Sequence, residues 1–284
     1  MKRKEKKVMK NDTIVDLKSI LKSPQWKNTK ARLPLVIGKD ENGEVVVLDL
    51  TEQQHLLISG ATGSGKSVCL NSIILGLLSK FSPDELRFIM ADLKVVEMIG
   101  YTNVQHLQFP ILNESEEVLQ TLEWCIAEVE RRYTFLADAR CKTSYDYNNK
   151  SDKKLPYIVF ILNEISSLMR NDKTLAKKVE DAIVRICQKG RAAGIHLIIS
   201  TSGTCKDVIT TSLRSHFPAH IAFQVGSADC SKVILDKAGA EKLSGDGDML
   251  ISLPFKKELL RCQGAFSDEQ DMQQILASVT PQTF

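Results

Sequence analysis

The stretch "LLISGATGSGKSVCLN", residues 56–71, decides the fold. It places a short apolar run, a glycine-rich loop and an apolar pattern at helical spacing in direct succession. Residues 60–67, "GATGSGKS", satisfy the pattern G-x-x-x-x-G-K-[ST] of a phosphate-binding loop. Because such a loop works between a strand and a helix, the surrounding pattern supports the match. The sequence therefore predicts a nucleotide pocket at this point of the chain.

The residue types of this loop suit the phosphates of ATP. Glycines allow backbone N–H groups to curl around phosphate oxygens, and the N-terminus of the following helix adds favourable charge. Lys66 can reach the β and γ oxygens, and Ser67 can ligate Mg²⁺. We therefore expect ATP and Mg²⁺ as cofactors, with Lys66 also acting in catalysis. The predicted cofactor-binding residues are Gly60, Ala61, Thr62, Gly63, Ser64, Gly65, Lys66, Ser67 and Val68.

The second half of the pocket is predicted where six apolar residues, 157–162, run into Asn163 and Glu164. ATPases with this strand pattern normally have Asp at the first position, where it holds water on Mg²⁺, and Glu at the second, where it polarises the attacking water. Asn163 can still bond a metal-bound water but removes a negative charge beside the cation. We predict Glu164 as the catalytic base and Asn163, with Ser67, as a weak metal site. A surface role for Glu164 is the alternative.

Arg191 lies in "CQKGRAAGIHLIIST", at a predicted helix end that leads into a strand. There it could enter the pocket of a neighbouring subunit as an arginine finger that stabilises charge on the transferring phosphate. An arginine at a helix C-terminus also complements the helix dipole, so a structural role stays open. The catalytic role requires an oligomer.

Short apolar runs alternate with amphipathic helices along the chain, which indicates an α/β fold whose mostly parallel sheet is covered by helices. Helices are expected over about 115–139, from about 175 to 189 with an end near Gly190 and Gly194, and from Ser267, where Gln270 would complete a capping box. The polar stretch 142–154 is expected to be a surface loop. The predicted strands are "VVVLDL", "HLLIS", "RFIMAD", "YIVFIL", "HLIIST", "HIAFQV" and "DMLISL".

Composition excludes several classes of protein. With 284 residues, 43% of them hydrophobic and 26% charged, the chain can bury a large core, so wholesale disorder is excluded. Its apolar runs are far shorter than the roughly 20 residues of a membrane span, so we expect no membrane segment and a cytoplasmic location. Seven cysteines without C-x-x-C spacing suggest reduced thiols, and five histidines show no metal spacing. A net charge of +3 means that any DNA contact is local.

Taken together, these residues resemble the motor domain of the FtsK/SpoIIIE family of DNA translocases over about residues 33–278. The resemblance implies a RecA-like P-loop NTPase that assembles as a hexameric ring, threads double-stranded DNA through its centre and moves along it by hydrolysing ATP. The blocks that carry it, besides the phosphate loop, are "LPLVIGKDENGEVVVLDL", "ADLKVVEM", "EVERRYTFLADA", "KGRAAGIHLIIST", "DVITTSLRSHFPAHIAFQV", "ILDKAGAEKLSGDGDML" and "RCQGAFSD".

Two departures from the family's pattern fall in the pocket. Asn163 stands where the family usually has Asp, and "TSGT", residues 201–204, stands where it usually has Thr-Gln-Arg-Pro. Ser202 is too short to reach a γ-phosphate as the family's glutamine would. The family's membrane-spanning region and winged-helix module are also missing, so we expect a soluble motor fragment or a stand-alone homologue.

DNA contacts of such a motor should go to phosphates, and a ring multiplies each subunit's few basic residues. The candidates, by resemblance and local charge, are Lys206, Arg214 and His216, although each could equally be an isolated surface charge. The basic tail in residues 1–10 could add DNA affinity or merely solubility. We divide the chain into a basic tail and lead-in segment, 1–32, and a motor domain, 33–284.

Three hypotheses remain open. The leading one is an ATP-dependent double-stranded DNA translocase that forms a homo-hexamer. The second is a degenerate ATP- and DNA-binding module with weak or no hydrolysis, because of Asn163 and Ser202. The third is a conjugation or secretion coupling ATPase, since those proteins share the motor core.

Overall fold

The computed structural model describes residues 14–202, 208–254 and 256–279. Its strands and helices alternate along the chain, as the sequence predicts. The strands are β1 Val15–Asp16, β2 Pro34–Asp40, β3 Val45–Asp49, β4 Leu56–Ser59, β5 Leu86–Asp92, β6 Tyr157–Asn163, β7 Ile195–Thr201, β8 Ala219–Phe223, β9 Asp248–Ser252 and β10 Leu260–Phe266. The helices are α1 Leu17–Lys22, α2 Pro24–Lys27, α3 Leu50–Gln53, α4 Lys66–Leu78, α5 Ser115–Asp138, α6 Ser144–Lys150, α7 Ser166–Asn171, α8 Lys173–Ala193, α9 Thr211–Ser215, α10 Ala228–Leu235 and α11 Glu269–Val279.

One sheet runs in the order β3-β2-β10-β9-β8-β4-β7-β6-β5, and β1 pairs with β10. Strands β8, β4, β7, β6 and β5 are parallel to one another. The other half, β9, β10, β2 and β3, continues the sheet with antiparallel pairs. Parallel strands end at the same edge of a sheet, where open α/β folds place their ligands. In this chain that edge receives the residues that follow β4, β5, β6, β7 and β8.

Helices cover both faces of the sheet because its central strands are apolar on both sides. In β6, for instance, Val159 and Ile161 join the core under α4, while Ile158, Phe160 and Leu162 join the core under α5 and α8. The same alternation along β4 and β5 builds two hydrophobic layers. The α/β prediction with helices on both faces is confirmed.

The described part of the lead-in segment packs on the hydrophobic layer that includes α4. Leu17, Ile20 and Trp26 are buried in the core that includes α4. β1 pairs with β10, and the chain then reaches Trp26, whose carbonyl accepts a hydrogen bond from Lys80 Nζ just beyond the C-terminal end of α4. The basic residues 1–10 lie outside the described residues.

Three local expectations need correction. The stretch 142–154 contains the helix α6, because Thr143 caps it by accepting the Asp146 N–H at 3.1 Å and the Asn148 side chain bonds the backbone of Leu155. Its polar residues gave no apolar period that would reveal a helix. α11 begins at Glu269, and its cap is Asp268, which accepts the Asp271 N–H at 2.7 Å.

The third correction concerns the end of α8. Gly194 caps the helix in the left-handed region with φ of 73°, as predicted. Gly190 belongs to the helix interior: a Cβ there would lie 2.5 Å from the carbonyl oxygen of Ile195, so only glycine allows β7 to start so close to α8.

Candidate nucleotide-binding site

The phosphate loop leaves β4 at the carboxyl edge of the sheet and turns directly into α4. Gly63 and Gly65 adopt φ of 78° and 109°, which side chains other than glycine disfavour. A Cβ on Gly65 would lie 2.7 Å from the Cα of Gly247, so the loop also needs glycine for packing. The Gly247 N–H donates to the Ser64 carbonyl at 3.0 Å, which fixes the loop from outside. The chain thus presents the N-terminus of α4 at the bottom of a glycine-lined cradle, a geometry that suits phosphate.

Lys66 is buried at the first position of α4. Its Nζ donates to the Ala61 carbonyl at 2.8 Å, within the cradle itself. Burial lowers the pKa of Lys66 below its ordinary value, and the negative charges of Glu164 and Glu97 oppose that shift. The lysine is therefore partly desolvated and lies within electrostatic range of two carboxylates. Ser67 and Val68 follow on the first turn of α4 and are half-buried.

Glu164 lies just beyond β6 with φ of 59°, in the left-handed region where a residue with a side chain is unusual. Both carboxylate oxygens accept the Ser202 N–H at 3.1 Å, and the Ser166 hydroxyl donates to Oε1. The Lys94 Nζ lies 3.6 Å from Oε2. Burial alone would raise the pKa of Glu164, but the hydrogen bonds from Ser166 and Ser202 and the charge of Lys94 hold it below its ordinary value. The Glu164 carboxylate is therefore ionised at neutral pH, and the strained backbone of this residue sets its position.

Asn163 ends β6 and is buried between two neighbours. Its Nδ2 donates to Glu97 Oε2 at 2.9 Å, and its Oδ1 accepts the Ser200 hydroxyl at 2.6 Å. Ser200 in turn accepts the Glu164 N–H at 3.1 Å. The side chains of residues 163 and 164 are therefore held by the end of β7. Asn163, which the sequence predicts to bind metal, also contacts the carboxylate of Glu97.

The loop that carries Glu97 and Lys94 is closed by Asp92, the last residue of β5. The buried Asp92 carboxylate accepts the N–H groups of Lys94, Val96, Glu97 and Met98 at 2.8–3.2 Å. This hydrogen bonding positions residues 94–98 over the carboxyl edge. The sequence reasoning missed Lys94, Glu97 and Asp92 as pocket residues, although Asp92 stands at the carboxyl end of a predicted strand, which is the available signal.

A cavity of about 420 Å³ adjoins the other side of the cradle. It is lined by the start of α4, by residues 246–247, by residues 263–266 of β10 and by Ile14 and Val15, and most of its lining is apolar. A pocket of this size next to the first turn of α4 suits the base and sugar of a nucleotide.

The metal-binding possibilities are limited. Within residues 14–202, 208–254 and 256–279, no group of three or more His, Cys, Asp or Glu side chains could hold a metal ion. Mg²⁺ in a nucleotide site needs no such cage, because it is held by substrate phosphates, waters and one or two protein oxygens. Ser67, Asn163 and Glu97 fit that requirement.

Arg191, Arg214 and His216 lie away from this edge. Arg191 is exposed near the C-terminus of α8 and precedes β7, whose seven residues separate it from the pocket edge by roughly 20 Å. Arg214 and His216 lie at the end of α9, which precedes β8. The Arg214 guanidinium pairs with Asp236, and His216 Nδ1 donates to the Ser212 carbonyl at 2.8 Å. Lys206 lies outside the described residues.

Of the cysteines and histidines that the structure describes, only Cys69 lines the cavity. No disulfide joins the six cysteines of the described ranges, and burial raises the pKa of the Cys69 thiol to about 12. His55, His106 and His196 are buried, as expected for structural residues. Among the described residues, no helix combines the length and apolar character that crossing a membrane requires.

The sequence model of the FtsK/SpoIIIE family matches residues 16–208 of this chain. The chain belongs to the FtsK/SpoIIIE family. It is 39% identical over 276 residues to the DNA translocase FtsK of Treponema pallidum and 40% identical over 275 residues to that of Clostridium acetobutylicum; each match covers 95% of this chain. These matches cover 34% and 36% of the two relatives, so the chain spans about a third of their length.

Two solved structures share the fold of this family member. The conjugation coupling protein TcpA of pCW3, solved with ATPgS, matches 88% of this chain and 71% of its own with a TM-score of 0.77 at 24% identity. The cytoplasmic domain of the type VII secretion ATPase EccC of Thermomonospora curvata matches 96% of this chain and 35% of its own, with a TM-score of 0.80 at 23% identity. At this level of identity they establish the P-loop ATPase fold alone.

Proposed function

We propose that this chain is an ATP-driven motor that moves along double-stranded DNA as a homo-hexameric ring. The observation that carries the proposal is the ionised, strained Glu164 at the same edge of the sheet as Lys66 and the glycine cradle. Family membership and the names of the FtsK relatives support DNA as the track.

In the proposed mechanism, the backbone N–H groups of the cradle bind the phosphates of ATP. Lys66 exchanges its hydrogen bond to the Ala61 carbonyl for the β- and γ-phosphate oxygens. Ser67 would hold Mg²⁺, which supplies charge neutralisation when bound. Glu164 accepts a proton from the attacking water, and its release from Ser166 and Ser202 accompanies that step. Ser202 bonds the Glu164 carboxylate through both its backbone N–H and its side chain, so its proposed role is to position the base.

Steady-state ATP hydrolysis with and without long duplex DNA tests this proposal. We expect turnover that DNA stimulates, that Lys66→Ala abolishes and that Glu164→Gln lowers by about 10²–10⁴-fold, as for loss of a general base. Absence of any hydrolysis by the unaltered chain with DNA present would instead favour the ATP- and DNA-binding module without efficient turnover. The neutral amide at Asn163 is the observation that supports this second candidate.

Arg191 is proposed to complete the pocket of a neighbouring subunit, since its exposed position at the far edge of the sheet does not serve its own pocket. Arg191→Ala should lose turnover and keep nucleotide binding. Arg185→Ala, at another exposed position of α8, is the matched control and should keep both. In an equal mixture of Arg191→Ala and Lys66→Ala chains, turnover should return at about a quarter of the sites. In a head-to-tail ring, half of the pockets keep Lys66, and half of those face a neighbour that keeps Arg191. Two inactive variants that stay inactive when mixed would exclude the role in trans.

Lys206, Arg214 and His216 stay the candidates for contacts with DNA phosphates. Replacing Lys206 with Ala should weaken duplex binding equally across sequences and reduce the salt dependence by about one phosphate contact per subunit. Arg214 is partly neutralised by Asp236, so its replacement should have the smaller effect. Equal losses for both variants would contradict this ranking.

A further inference from the structure

Position 163 has an amide where the pocket chemistry favours an acid, and the hydrogen bonds around it fix how that amide points. The Ser200 hydroxyl accepts the Glu164 N–H and donates to Asn163 Oδ1, so Nδ2 faces Glu97. A carboxylate only accepts hydrogen bonds, which makes the 2.9 Å contact between Nδ2 and Glu97 Oε2 favourable in this orientation alone. Two carboxylates at that separation would repel each other. The amide at 163 instead gives the Glu97 carboxylate a hydrogen-bond donor.

Glu97 is also held in place by its own backbone. Its N–H donates to Asp92 Oδ2 at 2.8 Å, within the four hydrogen bonds that close the loop on the end of β5. Asp92 is itself next to Asn163 in the sheet register, but those four bonds occupy its carboxylate. Of these two acids, Glu97 is the one whose carboxylate contacts residue 163 and acts electrostatically on Lys66.

We propose that Glu97 supplies the carboxylate that holds the water shell of the bound Mg²⁺, with Asn163 orienting it. The inference rests on the proposed function, because it requires Mg²⁺-nucleotide in the cradle. It makes Glu97 a positioning residue that acts on the metal through water. The pocket then keeps the negative charge that an acid at the end of β6 would provide. Glu97, in the loop after β5, supplies that charge instead.

The test measures metal binding without turnover. Mn²⁺ affinity is followed by electron paramagnetic resonance in the presence of ATPγS, and ATPγS affinity is measured separately in EDTA. Glu97→Gln should weaken Mn²⁺ binding by about 10–100-fold, the usual loss when an outer-shell partner of a metal is removed. Its ATPγS affinity in EDTA should not change, which shows that the cradle is intact. Glu52→Gln, which neutralises an exposed carboxylate on α3, is the control and should match the unaltered chain.

The reversed pair makes the test specific. Asn163→Asp alone should not improve Mn²⁺ binding, because it places a second carboxylate against Glu97. Combined with Glu97→Gln, it should recover most of the lost affinity, since the amide and the acid have exchanged positions. A Glu97→Gln chain that binds Mn²⁺ normally, or a double variant no better than Glu97→Gln, would overturn the inference while leaving the proposed function standing. An unaltered chain that binds no ATPγS would overturn both.

Discussion

The buried ion pair between Glu128 and Arg132 on α5 should be among the most sensitive points of the fold. Arg132 is only 2% exposed, and its guanidinium donates to Glu128 Oε1 at 2.7 Å and to the carbonyls of Pro156 and Ala193 at 2.7 and 2.9 Å. These contacts tie α5 to the start of β6 and the end of α8. Glu128→Gln removes the only carboxylate in this set and leaves a buried positive charge without its counter-ion.

Breaking a buried pair from one side typically costs about 3–5 kcal/mol of stability. Because the two carbonyl contacts of Arg132 survive, and the amide oxygen of the new side chain can still accept a hydrogen bond, we expect the lower end, about 3 kcal/mol. The assay is urea denaturation at pH 7, with the midpoint shifted and the slope unchanged. Glu130→Gln is the control on the same helix: Glu130 pairs with Lys189 at 2.7 Å, but both side chains are more than half exposed, so the loss should stay below about 1 kcal/mol. Equal midpoints for the two variants would refute the reasoning.

Two further predictions concern the cradle and the pH dependence of stability. Gly65→Ala should abolish ATPγS binding because φ of 109° and the contact with Gly247 both exclude a Cβ. Gly43→Ala is the control for backbone strain: its φ is 84°, but it lies in the turn between β2 and β3 and a Cβ there meets nothing within 4 Å, so it should bind normally in the same titration. His55 and His196 are buried with pKa values lowered by desolvation to about 3 and about 4. The unfolded chain therefore takes up protons below about pH 6.5 that the folded chain does not, and stability should fall by up to about 2 kcal/mol per histidine between pH 6.5 and pH 5. Urea midpoints measured across that range, and found flat, would contradict the burial of neutral imidazoles.

Several parts of the pocket follow from local sequence. The phosphate loop needs no distant partner for recognition, since glycines, Lys66 and Ser67 are contiguous and sit between a strand and a helix pattern. Glu164 is likewise identified by its place directly after an apolar run. The alternation of strands and amphipathic helices fixes the fold class, because the period of apolar residues depends only on neighbours in the chain.

The tertiary structure alone decided which residues meet at the carboxyl edge. Glu97 contacts Asn163 across 66 positions of sequence, and Ser202 contacts Glu164 across 38. Those contacts arise from strand order and register, in which β6 lies between β5 and β7, and no local period encodes that order. Local order, by contrast, already places Arg191 at the opposite edge of the sheet, because the helix that carries it leads into β7. Local patterns specify what each segment forms, whereas long-range pairing specifies which charges share a site, and the chemistry of this pocket depends on both.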